Sequence, residues 1–261
     1  MKDGELAEES LKSISLIIPF YNEESGIARL RERLAPVIEK LGSQRPVQLV
    51  LVDDGSADLS YPKLVEHFAH CGSAETVLLR HARNRGIGAA MATGFDAATG
   101  DVVCTLDSDC TYAPEELPAL IALLHSSGAD IATGSPYHPM VSLEEARDWR
   151  IRLSRAASRL WGLLLPAKLH CYTSFFRAYR SEWANKALFS SNGFLAVTEI
   201  LVAAACRGAR IVEYPVALGL RSNGRSKMRP LRVALDHLRL MGKTLLRSSA
   251  HSAPALGARE S

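Results

Sequence analysis

The sequence predicts an α/β protein: a mainly parallel sheet with helices on both faces, followed by basic amphipathic helices toward the C-terminus. Three observations carry that expectation. Between Ser15 and Thr133, short apolar runs alternate with segments of helical spacing, the pattern of strand–helix–strand units. Each apolar run stops at a polar loop, as a buried strand does. Three of those stops are acidic, after Phe20, after Val52 and after Leu106.

The elements follow in order. Ser15–Phe20 is the first strand, and Ile27 to Leu41 a helix closed by Gly42 and Pro46. Val47–Val52 is a second strand, ending in Asp53-Asp54-Gly55-Ser56; Leu64–Ala69 is helical and Thr76–Leu79 a third strand. Gly86–Ala98 is a helix that tolerates Gly94, and Asp101–Leu106 a fourth strand, ending in Asp107-Ser108-Asp109. Pro114 suits a first turn and opens a helix to Ser127, before a fifth strand at Asp130–Thr133. After Gly134 the rhythm changes. A loop rich in Pro, Tyr and Ser runs to Leu143, and a basic amphipathic helix spans Trp149–Leu165. A strand near Ser174–Tyr179, a helix near Thr198–Arg207, a strand near Arg210–Val216, a loop at Arg221–Lys227 and a closing helix at Leu231–Leu246 complete the pattern. We expect residues 1–14 to be an extension, 15–247 one domain with halves at 15–134 and 135–247, and 248–261 a flexible tail.

Composition narrows the class. The chain has 261 residues, 47% of them apolar and 23% charged, which is globular and neither disordered nor collagen-like. A net charge of +3 argues against a surface built for duplex nucleic acid. No apolar run reaches the roughly 18 residues of a membrane span, and MKDGELAEES lacks the regions of a signal peptide. Five cysteines, odd in number and without CxxC spacing, fit a reduced cytoplasmic chain. The charge is unevenly spread. Residues 221–247 hold eight basic side chains against Asp236 alone, a net +7. That suggests an anionic partner or a solvated helix face.

In an open parallel sheet, ligands gather beyond the carboxyl ends of the strands. The segments Pro19–Glu24, Asp53–Ser56 and Asp107–Asp109 should therefore meet at one rim. Carboxylates collected there repel one another unless a cation or hydrogen-bond donors fill the gap. Asp107 and Asp109 suit a hard cation such as Mg²⁺ or Mn²⁺, which takes one or two protein carboxylates and completes its shell with water and substrate phosphate. Read alone, Asp54-Gly55-Ser56 is equally an ordinary turn, Arg177 a partner for a buried carboxylate, and Glu199 a partnered helical acid. His81, His138 and His170 lack zinc-ligand spacing.

The combination IIPFYNEE, VLVDDGS, RNRGIGAAMATGFDAATGDVVCTLDSD, APEEL and GSPY resembles the family 2 glycosyltransferases of the GT-A fold. YTSFFRAYR, EYPV and RSNGRSK resemble their dolichyl- and polyprenyl-phosphate mannose synthase branch. The resemblance runs from about Ser15 to Lys243. It implies a nucleotide-sugar donor, GDP-mannose or a UDP-hexose. Pro19, Tyr21 and Glu23, with Val52 and Asp54, match positions lining base and ribose, assisted by Asp53. Asp107, Ser108 and Asp109 match the DxD motif, Asp109 being the direct metal ligand. Arg221 and Lys227 match the RxxGxSK loop that closes over the phosphates. Asp109, Arg221 and Lys227 are thus the candidate catalytic residues. The chain departs from the family where Pro136 replaces a common Arg and Cys171 a common Asp. Arg83, Arg85 and Arg180 are candidates to replace the lost cation.

These readings lead to an inverting transfer of mannose or glucose from an NDP-sugar to a polyprenyl or dolichyl phosphate. The expected setting is the cytosolic membrane face, with no transmembrane helix and no nucleic-acid partner. A phosphate acceptor is already anionic and needs no strong general base. The Trp149–Leu165 helix suits an interfacial surface or, alternatively, a core helix with snorkelling arginines. A soluble glycosyltransferase acting on a hydroxyl of a sugar, cyclitol or small metabolite is the alternative, with Glu199 or Asp130 as base. A domain that binds nucleotide or lipid without turnover is a third.

Overall fold

The computed structural model describes residues 13–141, 149–165, 167–219 and 230–251. Among these, seven strands form one sheet: β1 Ile14–Phe20, β2 Val47–Asp53, β3 Glu75–Arg80, β4 Val102–Thr105, β5 Ile131–Ser135, β6 Arg177–Arg180 and β7 Ile211–Pro215. Their order is β3-β2-β1-β4-β6-β5-β7. Every pair is parallel except those of β6, which runs antiparallel to both β4 and β5. The helices are α1 Ile27–Gly42, α2 Ser60–Phe68, α3 Ile87–Ala97, α4 Leu117–Ser127, α5 Trp149–Leu164, α6 Leu195–Cys206 and α7 Pro230–His251.

The two-sided burial expected from continuous apolar strands is present. Leu16, Ile18, Phe20, Leu49 and Leu51 pack with Leu30, Leu34, Leu64 and Leu120 on the face covered by α1, α2 and α4. Ile17, Val50 and Val52 pack with Met91, Phe95, Trp161, Ile200 and Met241 on the face covered by α3, α5, α6 and α7. The strands β1, β2, β4 and β5 are buried along their whole length, whereas β3 and β7 form half-exposed edges. Adjustments to the expected boundaries are local. The segment from Pro114 opens with a 3₁₀ turn before α4. The strand expected near Ser174 begins at Arg177, α6 starts at Leu195, and α7 continues to His251.

Pro19 lies inside β1, a place where a missing N–H normally breaks a ladder. The register explains why it is tolerated. Pairing of β1 with β4 covers only Ile14 to Ile17, and Ile17 O accepts the last bond from Leu106 N. Alternate residues of a strand direct their backbone groups to opposite neighbours, so Pro19 faces the β4 side after β4 has turned away. On the other side, Phe20 O still accepts from Asp54 N. The proline thus marks the point where β1 and β4 part.

Helices α5 and α7 pack against each other, joined by Trp161 Nε1 donating to His237 Nδ1 at 3.2 Å. Burial holds His237 below the ordinary imidazole range, with Asp236 pulling the other way. The unfolded chain therefore takes up this proton first as pH falls. The stabilisation is complete above about pH 6.5 and is lost as pH drops through the folded value. His237→Gln, which keeps an acceptor but does not titrate, should lose less melting temperature than wild type between pH 7.5 and pH 5. Equal losses would show that His237 contributes nothing to the seam's pH dependence.

Candidate active site at the parting of two strands

In the order β3-β2-β1-β4, the chain reverses its direction of growth between β1 and β4, and a crevice opens beyond their carboxyl ends. Pro19 is buried at its edge, with Tyr21 and Glu23 half-buried after it; Asp107, Ser108 and Asp109 are half-buried on the facing turn. Both walls contain a non-glycine residue in the left-handed region, Asn22 at φ 52° and Cys110 at φ 56°. Such strain persists only where the surroundings fix it. Asn22 is fixed to the β2 loop. Its N–H donates to Ser56 Oγ at 2.9 Å and its Oδ1 accepts from Ala57 N at 2.8 Å. Glu23 N donates to Ser60 Oγ at 2.8 Å. On the opposite wall, Asp109 Oδ1 accepts from Thr111 N at 2.9 Å, which orients that carboxylate. The structure thus gathers Pro19, Tyr21, Glu23, Val52, Asp53, Asp54, Asp107, Ser108 and Asp109 at the ends of β1, β2 and β4. Arg221 and Lys227 lie outside the described residues.

The two adjacent acids of β2 differ in what they hold. Asp54 is turned inward. Its Oδ1 accepts from Arg85 N at 2.9 Å and sits 2.6 Å from His81 Nδ1, while its Oδ2 accepts from Gly86 N at 2.7 Å and Asn84 Nδ2 at 2.9 Å. His81 Nε2 in turn meets Thr93 Oγ1 at 2.9 Å. The carboxylate therefore pins the 81–86 loop to the sheet. Asp53 is also fully buried. Its Oδ1 accepts weakly from Ser56 N at 3.3 Å. Its Oδ2 lies 3.0 Å from Arg80 Nε but off the N–H axis, so the charges pair while that oxygen receives no hydrogen bond among the described residues. Beside it, Gly55, Ser56, Arg80, His81 and Ala82 line an open hollow of about 370 Å³. Gly55 is at φ 70°, and a Cβ there would come within 2.3 Å of the Arg83 backbone.

The second half of the chain closes on the same rim. Gly219, the last described residue before the basic segment, donates its N–H to Thr111 O at 2.8 Å, two residues beyond Asp109. Tyr112 stacks on Phe176, with ring centroids 5.3 Å apart. Burial pushes its phenol well above the ordinary range, Cys171 and Asp107 add to that, and a bond with Ser174 opposes it. Tyr137 OH donates to Ser154 Oγ at 2.8 Å, tying the loop after β5 to α5. Where Cys171 stands, its thiol is buried and its N–H donates to Glu213 Oε1 at 2.9 Å; His170 Nδ1 is 2.6 Å from Glu213 Oε2.

Several alternatives raised by the sequence are decided by position. Arg177 is fully buried and donates to Thr133 Oγ1, Val197 O and Tyr172 O, with no carboxylate partner among the described residues. Glu199 accepts from Ser190 N, Ser191 N and Ser191 Oγ, so it is a partnered acid holding a loop. Asp130 precedes β5 and accepts from Arg210 N, at the opposite edge of the sheet from the rim, which removes it as a base. Arg180 pairs with Val102 at that far edge and donates to Ala129 O, so it is no substitute for the missing cation. Arg83 and Arg85 are exposed on the rim loop that Asp54 holds. Neither the Gly219–Thr111 link nor the Asp53 oxygen that receives no hydrogen bond among the described residues leaves a mark in the sequence; only Asn22, a residue type tolerant of the left-handed region, carries a readable signal.

A switch-point crevice beyond the carboxyl ends of parallel strands, with an acidic turn on one wall, is where open α/β enzyme folds place their ligands. The family described as Glycosyl transferase family 2 matches residues 15–188, and the chain belongs to that family. It is 30% identical over 218 residues to a dolichol-phosphate mannosyltransferase of Pyrococcus furiosus, covering 83% of this chain and 59% of that protein. It is 32% identical to a polyprenol monophosphomannose synthase of Mycolicibacterium smegmatis, covering 82% of this chain and 80% of that one. Among solved structures, glucosyl-3-phosphoglycerate synthase from Mycobacterium tuberculosis, in complex with Mn²⁺, UDP and glucosyl-3-phosphoglycerate, shares the fold. The TM-score is 0.63 at 22% identity, over 92% of this chain and 81% of that one.

Asp54→Asn would turn an amide toward two backbone donors and remove the charge facing His81. It should cost about 3 kcal/mol of unfolding free energy, read from the denaturant midpoint. An unchanged midpoint would mean the 81–86 loop does not depend on this carboxylate.

Proposed function

We propose that the protein transfers a hexose, mannose or glucose, from a nucleoside-diphosphate sugar to a polyprenyl phosphate, with inversion and at the cytosolic face of a membrane. The observation that carries the reading is the bond from Gly219 to Thr111. It holds the last described residue before the basic 221–227 segment at a point beside the Asp107–Asp109 turn. The two lipid-phosphate mannose synthases named above support the acceptor class.

The donor set fits a hard dication. Asp107 and Asp109 would supply oxygen ligands from one short turn, to an ion whose remaining shell is water and diphosphate. When bound, Mg²⁺ or Mn²⁺ would neutralise the charge that builds on the departing diphosphate. The base and ribose would occupy the hollow beside Gly55 and His81, next to the buried Asp53 and its Arg80 partner. Arg221 and Lys227 would bind the phosphates of donor and acceptor. The acceptor phosphate attacks the anomeric carbon without losing a proton first. This agrees with the positions of Glu199, spent on a loop, and Asp130, on the far edge.

Labelled GDP-mannose or UDP-glucose incubated with polyprenyl phosphate and Mn²⁺ should place counts in the organic phase. Counts confined to water-soluble product would overturn the acceptor and favour a hydroxyl. Asp109→Asn should abolish the metal-dependent thermal shift given by the donor and lower transfer at least about 100-fold. Lys227→Ala should instead lower kcat by roughly tenfold or more with the donor-induced shift retained. Wild-type rates in both variants would refute the assignment of these residues.

A further inference from the structure

A group of titratable side chains stands on the rim beyond β5 and β7: Glu213 on β7, His170 in the loop before β6 and His138 in the loop after β5. Glu213 is buried, its side chain 7% exposed, and His170 lies over it at 46%. The carboxylate accepts from the amides of His170 and Cys171 and lies 2.6 Å from His170 Nδ1. Both its oxygens take backbone N–H groups, so it acts as an acceptor and Nδ1 is the nitrogen that carries the proton. The other nitrogen, Nε2, has no hydrogen-bond partner among the described residues. His138 is set the opposite way. Its Nδ1 accepts from Met140 N at 3.3 Å, which places the proton on Nε2. The two rings meet edge to face, with centroids 5.3 Å apart.

A short row of contacts links this group to the crevice. Tyr137, beside His138, and Cys171, beside His170, both bear on the buried phenol of Tyr112, and so does Asp107. Tyr137 OH donates to Ser154 Oγ, Ser154 meets Thr173 Oγ1, and Thr173 Oγ1 lies 3.8 Å from Cys171 Sγ. In the sheet order, β5 and β7 stand on the opposite side of β1 and β4 from β2 and β3. The imidazoles therefore flank the crevice on the side away from the hollow beside Gly55. A ligand on them faces a donor in that hollow across the Asp107–Asp109 turn.

We propose that His170 and His138 bind the phosphate of the acceptor, His170 as an imidazolium backed by Glu213 and His138 as a neutral Nε2–H donor. This rests on the acceptor reading given above and adds the side chains that recognise its head group. A phosphate monoester brings three acceptor oxygens and close to two negative charges, so one phosphate can bridge two rings in contact through charge-assisted bonds. His170 Nε2 donates only after the ring takes up a second proton, and Glu213 then balances the charge. Binding of a phosphate dianion therefore brings a proton with it; binding of an alcohol does not. The groups around His170 are Glu213 from β7, His138 from the loop after β5, Cys171 and Tyr172 from its own loop, Arg177 of β6 behind Cys171, and Lys168 after α5. Burial raises the Cys171 thiol and the Tyr172 phenol. Arg177 is taken up by carbonyls, and Lys168 Nζ is held on Gly162 O. The imidazoles are left to exchange protons near neutral pH.

The first readout is the long-range ¹⁵N spectrum of the full chain labelled at histidine, without donor or metal. Inorganic phosphate should move the Nε2 signals of His170 and His138, that of His170 toward the imidazolium position. A short-chain prenyl phosphate should compete at the same signals, and the matching prenyl alcohol should not. The second readout is transfer kinetics. His170→Gln keeps an N–H for Glu213, so its melting temperature should hold while the acceptor KM rises at least about tenfold with kcat nearly unchanged. His170→Arg, a cation that accepts no proton, should restore the KM. From pH 6.5 to 8.5 the ratio of KM, wild type over His170→Arg, should rise about tenfold, the titration of the phosphate itself cancelling. Motionless imidazole signals would overturn the inference. So would a kcat that falls in His170→Gln and stays low in His170→Arg, the mark of a proton-accepting base. Imidazole shifts without organic-phase transfer would sink the acceptor reading and leave the phosphate site standing. Organic-phase transfer with an unchanged acceptor KM in His170→Gln would keep that reading and overturn this one.

Discussion

The parting of β1 from β4 is the constraint on which the site depends. Two parallel strands pair through four residues and then diverge, and Pro19 sits at the first position where β1 would have needed a donor toward β4. A residue with an N–H there would leave a buried donor aimed at a neighbour that has gone, at a cost of about 1–3 kcal/mol if unsatisfied. Proline removes the group and the problem together. The crevice that results is a property of backbone direction, and the acidic turn on one wall and the 20–24 loop on the other are its contents.

The rim loops are held by acids that never reach the crevice. Asp54 accepts from the amides of Arg85 and Gly86, Glu213 from those of His170 and Cys171, and Glu199 from those of Ser190 and Ser191. In each case one carboxylate collects two successive backbone N–H groups. Charge-assisted bonds of this kind are stronger than neutral ones, and a pair fixes orientation as well as position. Glycines let the loops approach closely. A Cβ at Gly86, where φ is 99°, would lie 2.3 Å from Asn192 O, so the Asp54 loop and the Glu199 loop touch along bare backbone.

How much was legible in the sequence follows from what kind of interaction specifies each part. The order and type of elements through Thr133 could be read because buried parallel strands are continuous apolar runs. The acidic strand ends could be placed on one rim because parallel strands share a polarity. Neither principle reaches β6, a four-residue strand whose antiparallel insertion between β4 and β5 is set by tertiary pairing rather than by its own pattern. Nor does either separate Asp53 from Asp54: adjacent and chemically identical, they are told apart only by which way the strand end turns. Arg177, a plausible ion-pair partner on sequence grounds, is satisfied by carbonyls and a hydroxyl because β6 delivers it into the gap between three elements.

The insertion of β6 also bears on how the chain is made. Synthesis up to Ser135 completes β3, β2, β1 and β4, yet the edge of β4 has no partner until Arg177–Arg180 has been translated, and β5 cannot join before that. A growing polypeptide released early would therefore present a raw strand edge, the feature that invites association between chains. The antiparallel strand acts as the clasp of the sheet, and ribosomes that stall within the 40 or so codons before it would release a product prone to clump rather than a smaller folded one.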